Sequence, residues 1–358
     1  MVTTMNDALL YKDKPVFALD IGYKSMKLMQ INRGKHCKVI GFGVTGFDPS
    51  AIENGIIKKP DVLAEALKQL ITKDLVGKVT TRRVALALPA AHTFTHATQL
   101  PKLSSKDLQQ AVRTEAEQSI PHAFDDLYVD YEVTHRSSED TDVLVVAAPK
   151  KLVDSYVLFA RLAGLEVAAI EPTINAGARL FVRSSQSPPI PPTILIDFGS
   201  LTSDLTIYDQ NIIVSGTAPG GGDTFTDNIA DKLGVTHEEA HVIKIKYGLG
   251  VSKKQKEILA AASPVLDSLM RETRRMIRYY EEHTTDGGKI SQIITLGGGA
   301  NMPGVSEYMT DKLRLPVRPC HPWEYIGFGK LQPPNESELS MYLTVAGLAL
   351  IEPGEIFT

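Results

Sequence analysis

A chain of 358 residues, 43% hydrophobic and 22% charged, is long enough for two lobes with buried cores and too apolar for a disordered one. Its formal net charge of -4 gives no global reason to expect nucleic acid or an anionic membrane surface as partner. Two cysteines far apart in sequence, Cys37 and Cys320, suggest no disulfide framework and point to a reducing, cytoplasmic setting. The opening MVTTMNDALLYKDK lacks the basic start and apolar core of a signal peptide. No apolar run approaches the roughly 20 residues needed to span a bilayer.

The first element is FALDIGYKSMKLMQI, Phe17 to Ile31, which reads as strand, Asp-x-Gly turn and returning strand. That is a hairpin with an acidic group at its tip. A third apolar segment follows, then a helix from about Asp61 to Leu75 with Leu63, Leu67, Leu70 and Ile71 at helical spacing. Val84 to Leu88 is a strand stopped by Pro89, and Thr93 to Leu100 is another bounded by Pro101. Ser104 to Ser119 reads as helix, with Ser104 and Asp107 at capping spacing and Leu108, Ala111, Val112 and Ala116 on one face. Strands Leu127 to Thr134 and Val143 to Ala148 come next. Strand, helix, strand, strand makes a small α+β insertion of about 60 residues, near the lower limit for a free-standing core, so it is expected to lean on the main body.

Lys150 to Ala163 is helical and closes on Gly164. Val167 to Ile170 is strand, and Glu171-Pro172 leads into an Ala-rich helix ending near Phe181. Ser184 to Pro192 is a proline-rich linker. Beyond it, ILIDFGSLTSDLTIY, Ile194 to Tyr208, repeats the hairpin pattern of the first lobe. Phe225 to Leu233 is a short amphipathic helix. Thr236 starts another, with Glu239 completing a capping box and Gly248 ending it. A long helix from Ser263 to about Glu282 buries Leu266, Leu269, Met270, Thr273, Ile277 and Tyr280, leaving Arg271, Arg274, Arg275 and Arg278 on a solvated face. Ile293 to Leu296 is strand, turning at Gly297-Gly298-Gly299 into a helix from Val305 to Leu313, and Met341 to Leu350 is a last amphipathic helix. The expected class is α/β: lobe 1 at 15–90 and 164–183, an inserted subdomain at 91–163, a linker at 184–192 and lobe 2 at 193–358.

Two hairpin-tip aspartates, Asp20 and Asp197, suit Mg²⁺, which is held through few protein oxygens plus phosphate. The small residues after them, Gly22, Ser25, Gly199, Ser200, Thr202 and Ser203, let backbone N–H groups approach phosphate oxygens. Lys27, or alternatively Lys24, supplies a point charge for phosphates. Gly220-Gly221-Gly222-Asp223 and Gly297-Gly298-Gly299-Ala300 each precede a helix, where a Cβ would collide with a close ligand. Neither the dinucleotide fingerprint nor a P-loop is present. Glu171, at a strand end before a helix, could orient an attacking water or be a solvated strand-end carboxylate. His237-Glu238-Glu239-Ala240-His241 fits the zincin pattern, but His237 opens its helix, where the macrodipole disfavours added positive charge, and no third ligand volunteers.

The paired Asp-x-Gly hairpins, the Glu-Pro segment and the GGG turn resemble the actin/Hsp70/sugar kinase superfamily. Within it, PKLSSKDLQQAVRTEAEQSIPHAFDDLYVDYEV, VLVVAAPKKLVDSYVLFARLAGLEVAAIEPTINAGARL, LGGGANMPGVSEYM and AGLALI look like the PilM family of type IV pilus assembly proteins. The resemblance runs from Phe17 to about Ile351. It implies a two-lobed actin-like ATPase fold, ribonuclease H-like in each lobe, with Thr93–Ala148 as a 1C subdomain similar to that of FtsA. It also implies ATP and Mg²⁺ in the interlobe cleft, with Asp20 and Asp197 at the metal. Asp20, Gly22, Ser25 and Lys27 match the phosphate-1 motif, and Asp197, Gly199, Ser200 and Thr202 match phosphate-2. Gly221, Gly222, Lys244, Gly298 and Gly299 fall where the family holds adenosine, and Glu171 and Asp197 take the catalytic positions of what is at most a slow Mg-dependent ATPase. His241 stands where relatives often carry a ribose-binding Glu. The implied partner is the N-terminal cytoplasmic peptide of PilN, docking between the main lobe and 1C. The chain would then sit at the cytoplasmic face of the inner membrane through that partner only, with no nucleic acid involved. Contacts to other pilus assembly proteins and self-association stay open. The alternative is a small-molecule kinase on the same fold, for which no residue offers itself as a catalytic base in the first lobe.

Overall fold

Each hairpin seeds a sheet. The structure, a computed structural model, describes residues 14–34, 36–185, 189–284 and 287–352. Part of the linker (186–188) and the segments 1–13 and 353–358 lie outside the described residues. In the first sheet Phe17–Ile21 pairs antiparallel with Ser25–Asn32, which pairs with Cys37–Gly46. On its other side Phe17–Ile21 runs parallel to Arg83–Leu88, itself parallel to Glu166–Pro172. Every residue of Phe17–Ile21 and of Arg83–Leu88 is buried, as strands covered on both faces require. Helices Pro60–Gln69 and Lys150–Leu162 cover one face through Leu63, Leu67, Leu152, Tyr156 and Phe159. The first of these continues as a π-helical turn, Leu70–Asp74. Its wider winding breaks the 3.6-residue phase, so Ile71, expected on the buried stripe, is exposed.

The second sheet has eight strands, in the order Val317–Pro319, Gln292–Gly297, Thr193–Phe198, Thr202–Asp209, Asn211–Pro219, Phe94–Pro101, Asp140–Pro149, Leu127–Arg136. The inserted strands therefore extend the second lobe's sheet, joined at Val214 opposite His96. Their helix Ser105–Ser119, capped by Ser104 as expected, lays Leu108, Val112 and Ala116 on Val143, Val145 and Ala147 to form a separate small core. The strand Asn211–Pro219 was not foreseen. Its Gly216 lies where a Cβ would come within 2.7 Å of Glu272 Oε1 on the long helix, a side-chain tip that can move aside.

Three boundaries differ from the sequence reading. Helix Lys150–Leu162, assigned to the insertion, spends its apolar face on the first lobe's core, because the insertion's own helix already covers its sheet. The long helix starts at Gln255, not Ser263, and carries Pro264 inside it. The chain after Cys320, assigned to lobe 2, returns to the first sheet. Ile326–Gly327 pairs with Cys37–Lys38, and helix Leu343–Ala349 packs on Thr173–Ser184 and Phe17–Ile21. Expected to be amphipathic, Leu343–Ala349 is buried at every position. With Thr173–Ser184 it fills one core reaching from Ala18, Ala85 and Ala87 to Leu195, Ile294 and Leu296, so the two lobes share a hydrophobic seam.

Candidate nucleotide site

The two hairpins use the same register. Asp20 faces Lys27 across the first, and Asp197 faces Asp204 across the second. Lys27 Nζ lies 3.3 Å from Asp20 Oδ2. The turn between them is tight: Gly22 N donates to Ser25 O at 2.9 Å, and a Cβ on Gly22 would come to 3.2 Å of that oxygen. A Cβ on Gly199 would meet Thr202 O at 3.0 Å in the equivalent turn. Ser25, Ser200 and Thr202 are half-buried at the rims of these turns.

Where the first hairpin pairs a carboxylate with a lysine, the second pairs two carboxylates. Asp204 was missed by sequence reading, although the spacing was legible: DIGYKSMK ends in Lys27 and DFGSLTSD in Asp204. Asp197 accepts from Thr344 Oγ1 at 3.2 Å and Asp204 from Thr217 Oγ1 at 2.7 Å. Burial pushes Asp197 up to about 7, with the charges of Asp204 and Asp20 adding to the rise. Burial likewise pushes Asp204 up to about 6. The field of Asp20 at Asp197 brings the two hairpin tips of different lobes into one electrostatic site. With three carboxylates so close, that site favours an added cation.

The glycine clusters serve the protein more than the sequence suggested. A Cβ on Gly221 would lie 2.4 Å from Gly199 O, and one on Gly299 would lie 2.7 Å from Phe198 Cβ. Gly297, at φ +77°, leaves room for Asp197 Oδ1 and the Phe198 carbonyl. Gly298 faces open space, and Gly222 has only ordinary contacts. Gly222 N and Asp223 N donate to Gly199 O and Ser200 O, tying the second hairpin's turn to helix Gly222–Leu233. Behind it, the buried Lys244 Nζ donates to Gly222 O at 2.7 Å and Thr226 Oγ1 at 2.8 Å, and burial holds its pKa down. His241 is lowered first by burial and then by the charges of Lys244 and Lys24. Lys24 reaches across from the first lobe to Asp223 Oδ1 at 2.7 Å, so an ion pair spans the lobes beside the phosphate hairpins.

Glu171 is not a solvated strand end. Both its oxygens accept from Arg179, at 2.6 and 2.7 Å, and Arg179 also donates to Gly347 O at 3.2 Å. The pair ties the strand end to the last helix. Arg179→Ala should cost about 3 kcal/mol, since it strands a largely buried carboxylate, and urea unfolding would read the loss. The zincin pattern dissolves too: His237 pairs with Asp227 at 3.4 Å, and among the described residues no group of three metal-ligating side chains forms.

The family model of the type IV pilus assembly protein PilM matches residues 18–352. The chain belongs to that family. Membership places it with the type IV pilus assembly proteins. Among curated proteins it resembles the cell division protein FtsA of Staphylococcus epidermidis, 23% identical over 350 residues, covering 84% of this chain and 73% of that one. Among solved structures, a PilM–PilN type IV pilus biogenesis complex superposes at a TM-score of 0.80, with 24% identity over 94% of this chain and 98% of that one. MreB5 of Spiroplasma citri bound to ADP superposes at 0.53, with 14% identity over 94% and 95%. The two-lobed actin-like ATPase fold expected from the motifs is the fold observed. Among the described residues no helix is long and apolar enough to cross a membrane.

Proposed function

We propose that this protein is an ATP-binding cytoplasmic component of type IV pilus assembly, held at the inner membrane by the N-terminal cytoplasmic peptide of PilN. The observation that carries the nucleotide half is the convergence of the two Asp-tipped hairpins, one from each lobe, on one acidic site. The donor set fits Mg²⁺ and ATP. Asp20 and Asp197 are hard oxygen ligands too few to cage a metal alone, which suits an ion that keeps its waters and shares phosphate oxygens. Lys27 supplies a point charge beside them, and the Gly22–Ser25 and Gly199–Thr202 turns offer backbone N–H groups. When bound, Mg²⁺ would neutralise the charge that Asp197 and Asp20 build up together. Gly298 and Gly222 would face the adenosine, with Lys244 holding Gly222 O from behind and His241 in place of a carboxylate. That the MreB5 structure, which shares this fold, is bound to ADP supports a nucleotide as the ligand.

The partner half rests on family membership and on the likeness to a PilM–PilN complex. An extended peptide between the main lobe and the insertion gains main-chain hydrogen bonds and side-chain pockets. Nucleotide changes its affinity only by binding the two lobe arrangements unequally. A pull-down of the purified chain on an immobilised PilN N-terminal peptide, with and without Mg·ATP, tests the reading. Retention is expected. No retention in either condition would count decisively against it.

A further inference from the structure

The outer edge of the first sheet carries a feature that lies outside both the nucleotide site and the groove proposed for the PilN peptide. Cys37–Gly46 is flanked there by two short strands, Ile326–Gly327 against Cys37–Lys38 and Val76–Gly77 against Gly41–Phe42. Between them lies a groove of about 430 Å³, walled by Ile40, Phe328 and Leu331 and rimmed by Lys38, Lys78 and Lys330. No Asp or Glu lines it, and among the described residues none of the three lysines makes an ion pair. In a chain of net charge -4 this is a local inversion. Beside the groove stand Trp323, its ring 5.4 Å from Phe328, and the exposed Tyr325.

We propose that this groove docks on the anionic phospholipid surface of the membrane, with lipid phosphates at the three lysines and the apolar wall against the acyl-chain boundary. A cationic rim around an apolar floor matches an amphiphile; a free polyphosphate would gain nothing from the floor. An acidic peptide would need a strand edge, and here the edge is taken by the two short strands and by Lys78 N donating to Ile40 O. Amphipathic aromatics beside lysines are the side chains that membrane interfaces favour. The inference extends the reading above, resting on it only for location: PilN tethers the chain, and the groove sets which face meets the bilayer. Each lysine near an anionic surface contributes about fivefold in partitioning, so the three together contribute on the order of a hundredfold. That is weak alone and effective once a tether holds the chain close.

The test uses the full chain without PilN. Vesicles of phosphatidylglycerol and phosphatidylethanolamine in equal parts should sediment it and shift emission from Trp323, its single tryptophan, to the blue. Vesicles of phosphatidylcholine should not. The triple variant Lys38→Gln, Lys78→Gln, Lys330→Gln should bind on the order of a hundredfold more weakly while keeping its circular dichroism and its retention on PilN peptide. Leu331→Asn should abolish the blue shift. A wild-type chain that ignores phosphatidylglycerol, or a triple variant that binds it equally well, would overturn the proposal. So would lysine-dependent binding of polyglutamate without binding of vesicles. Failure on vesicles with PilN peptide still retained would remove this inference alone.

Discussion

Asp197→Asn should lose Mg·ATP by a factor on the order of 100 or more, measured by isothermal titration calorimetry, while its circular dichroism stays that of the wild type. The carboxylate lies at the centre of the hairpin pair, hydrogen-bonded to Thr344 and acted on by Asp204 and Asp20. An amide keeps the shape and the Thr344 contact but cannot neutralise a divalent cation. The pH dependence follows from the same burial. Asp197 rises from 3.8 to about 7 on folding, so between these values the native chain holds a proton that the unfolded chain has released. The contribution of Asp197 to the stability of the nucleotide-free protein should therefore be full below about pH 4, be lost as pH rises to about 7, and stay absent above. Asp197→Asn should leave a smaller fall ending near pH 6, that of Asp204. Since Mg²⁺ requires the charged carboxylate, Mg·ATP should bind the wild type more tightly as pH rises through about 7. Unchanged ATP affinity in the variant would sink the assignment of the cleft.

What the sequence showed plainly was whatever chain-local chemistry writes. The alternation of FALDI and SMKLMQI, the Asp-x-Gly turns and the Thr236–Glu239 capping box all fold as their patterns dictate. The site was half legible. Asp20 and Asp197 stand at turns whose glycines, Gly22 and Gly199, sit close to their own backbone, but Asp204 becomes visible only through cross-strand register, and the partner of Glu171 only through the packing of Thr173–Ser184 on the last helix. The last helix is the sharpest case. Thr344 and Gly347 break its apolar run and imitate a solvent-facing side. In the fold Thr344 spends its hydroxyl on Asp197, and Gly347 admits the backbone of Ala176. Both are interior residues whose reasons lie more than a hundred residues away in sequence, where no local period can record them.

Gly347→Ala puts a large stability loss where helix propensity forecasts a gain. Alanine is the better helix former by about 1 kcal/mol, so in an exposed helix the change would stabilise. Here the added methyl would lie 2.0 Å from Ala176 O, 2.6 Å from its carbon and 3.1 Å from Leu180 Cβ. Backbone cannot swing aside as a side-chain tip can, so the two helices must part along the seam shared by the lobes. Overpacking of this kind costs about 2–3 kcal/mol net of propensity, read as a lower urea midpoint at unchanged slope. Gly177→Ala, on the facing helix, is the matched control. Its methyl would meet nothing closer than Leu296 Cδ2 at 3.7 Å, so propensity should prevail and the midpoint should hold or rise. Separation of the helices would also draw Thr344 away from Asp197, since both Thr344 and Gly347 ride on Leu343–Ala349. Mg·ATP affinity should fall with stability in Gly347→Ala and stay at the wild-type level in Gly177→Ala. Equal midpoints for the two variants would show that the close approach of Gly347 to Ala176 does not hold in solution, and with it would go the path by which this seam reaches the nucleotide carboxylate.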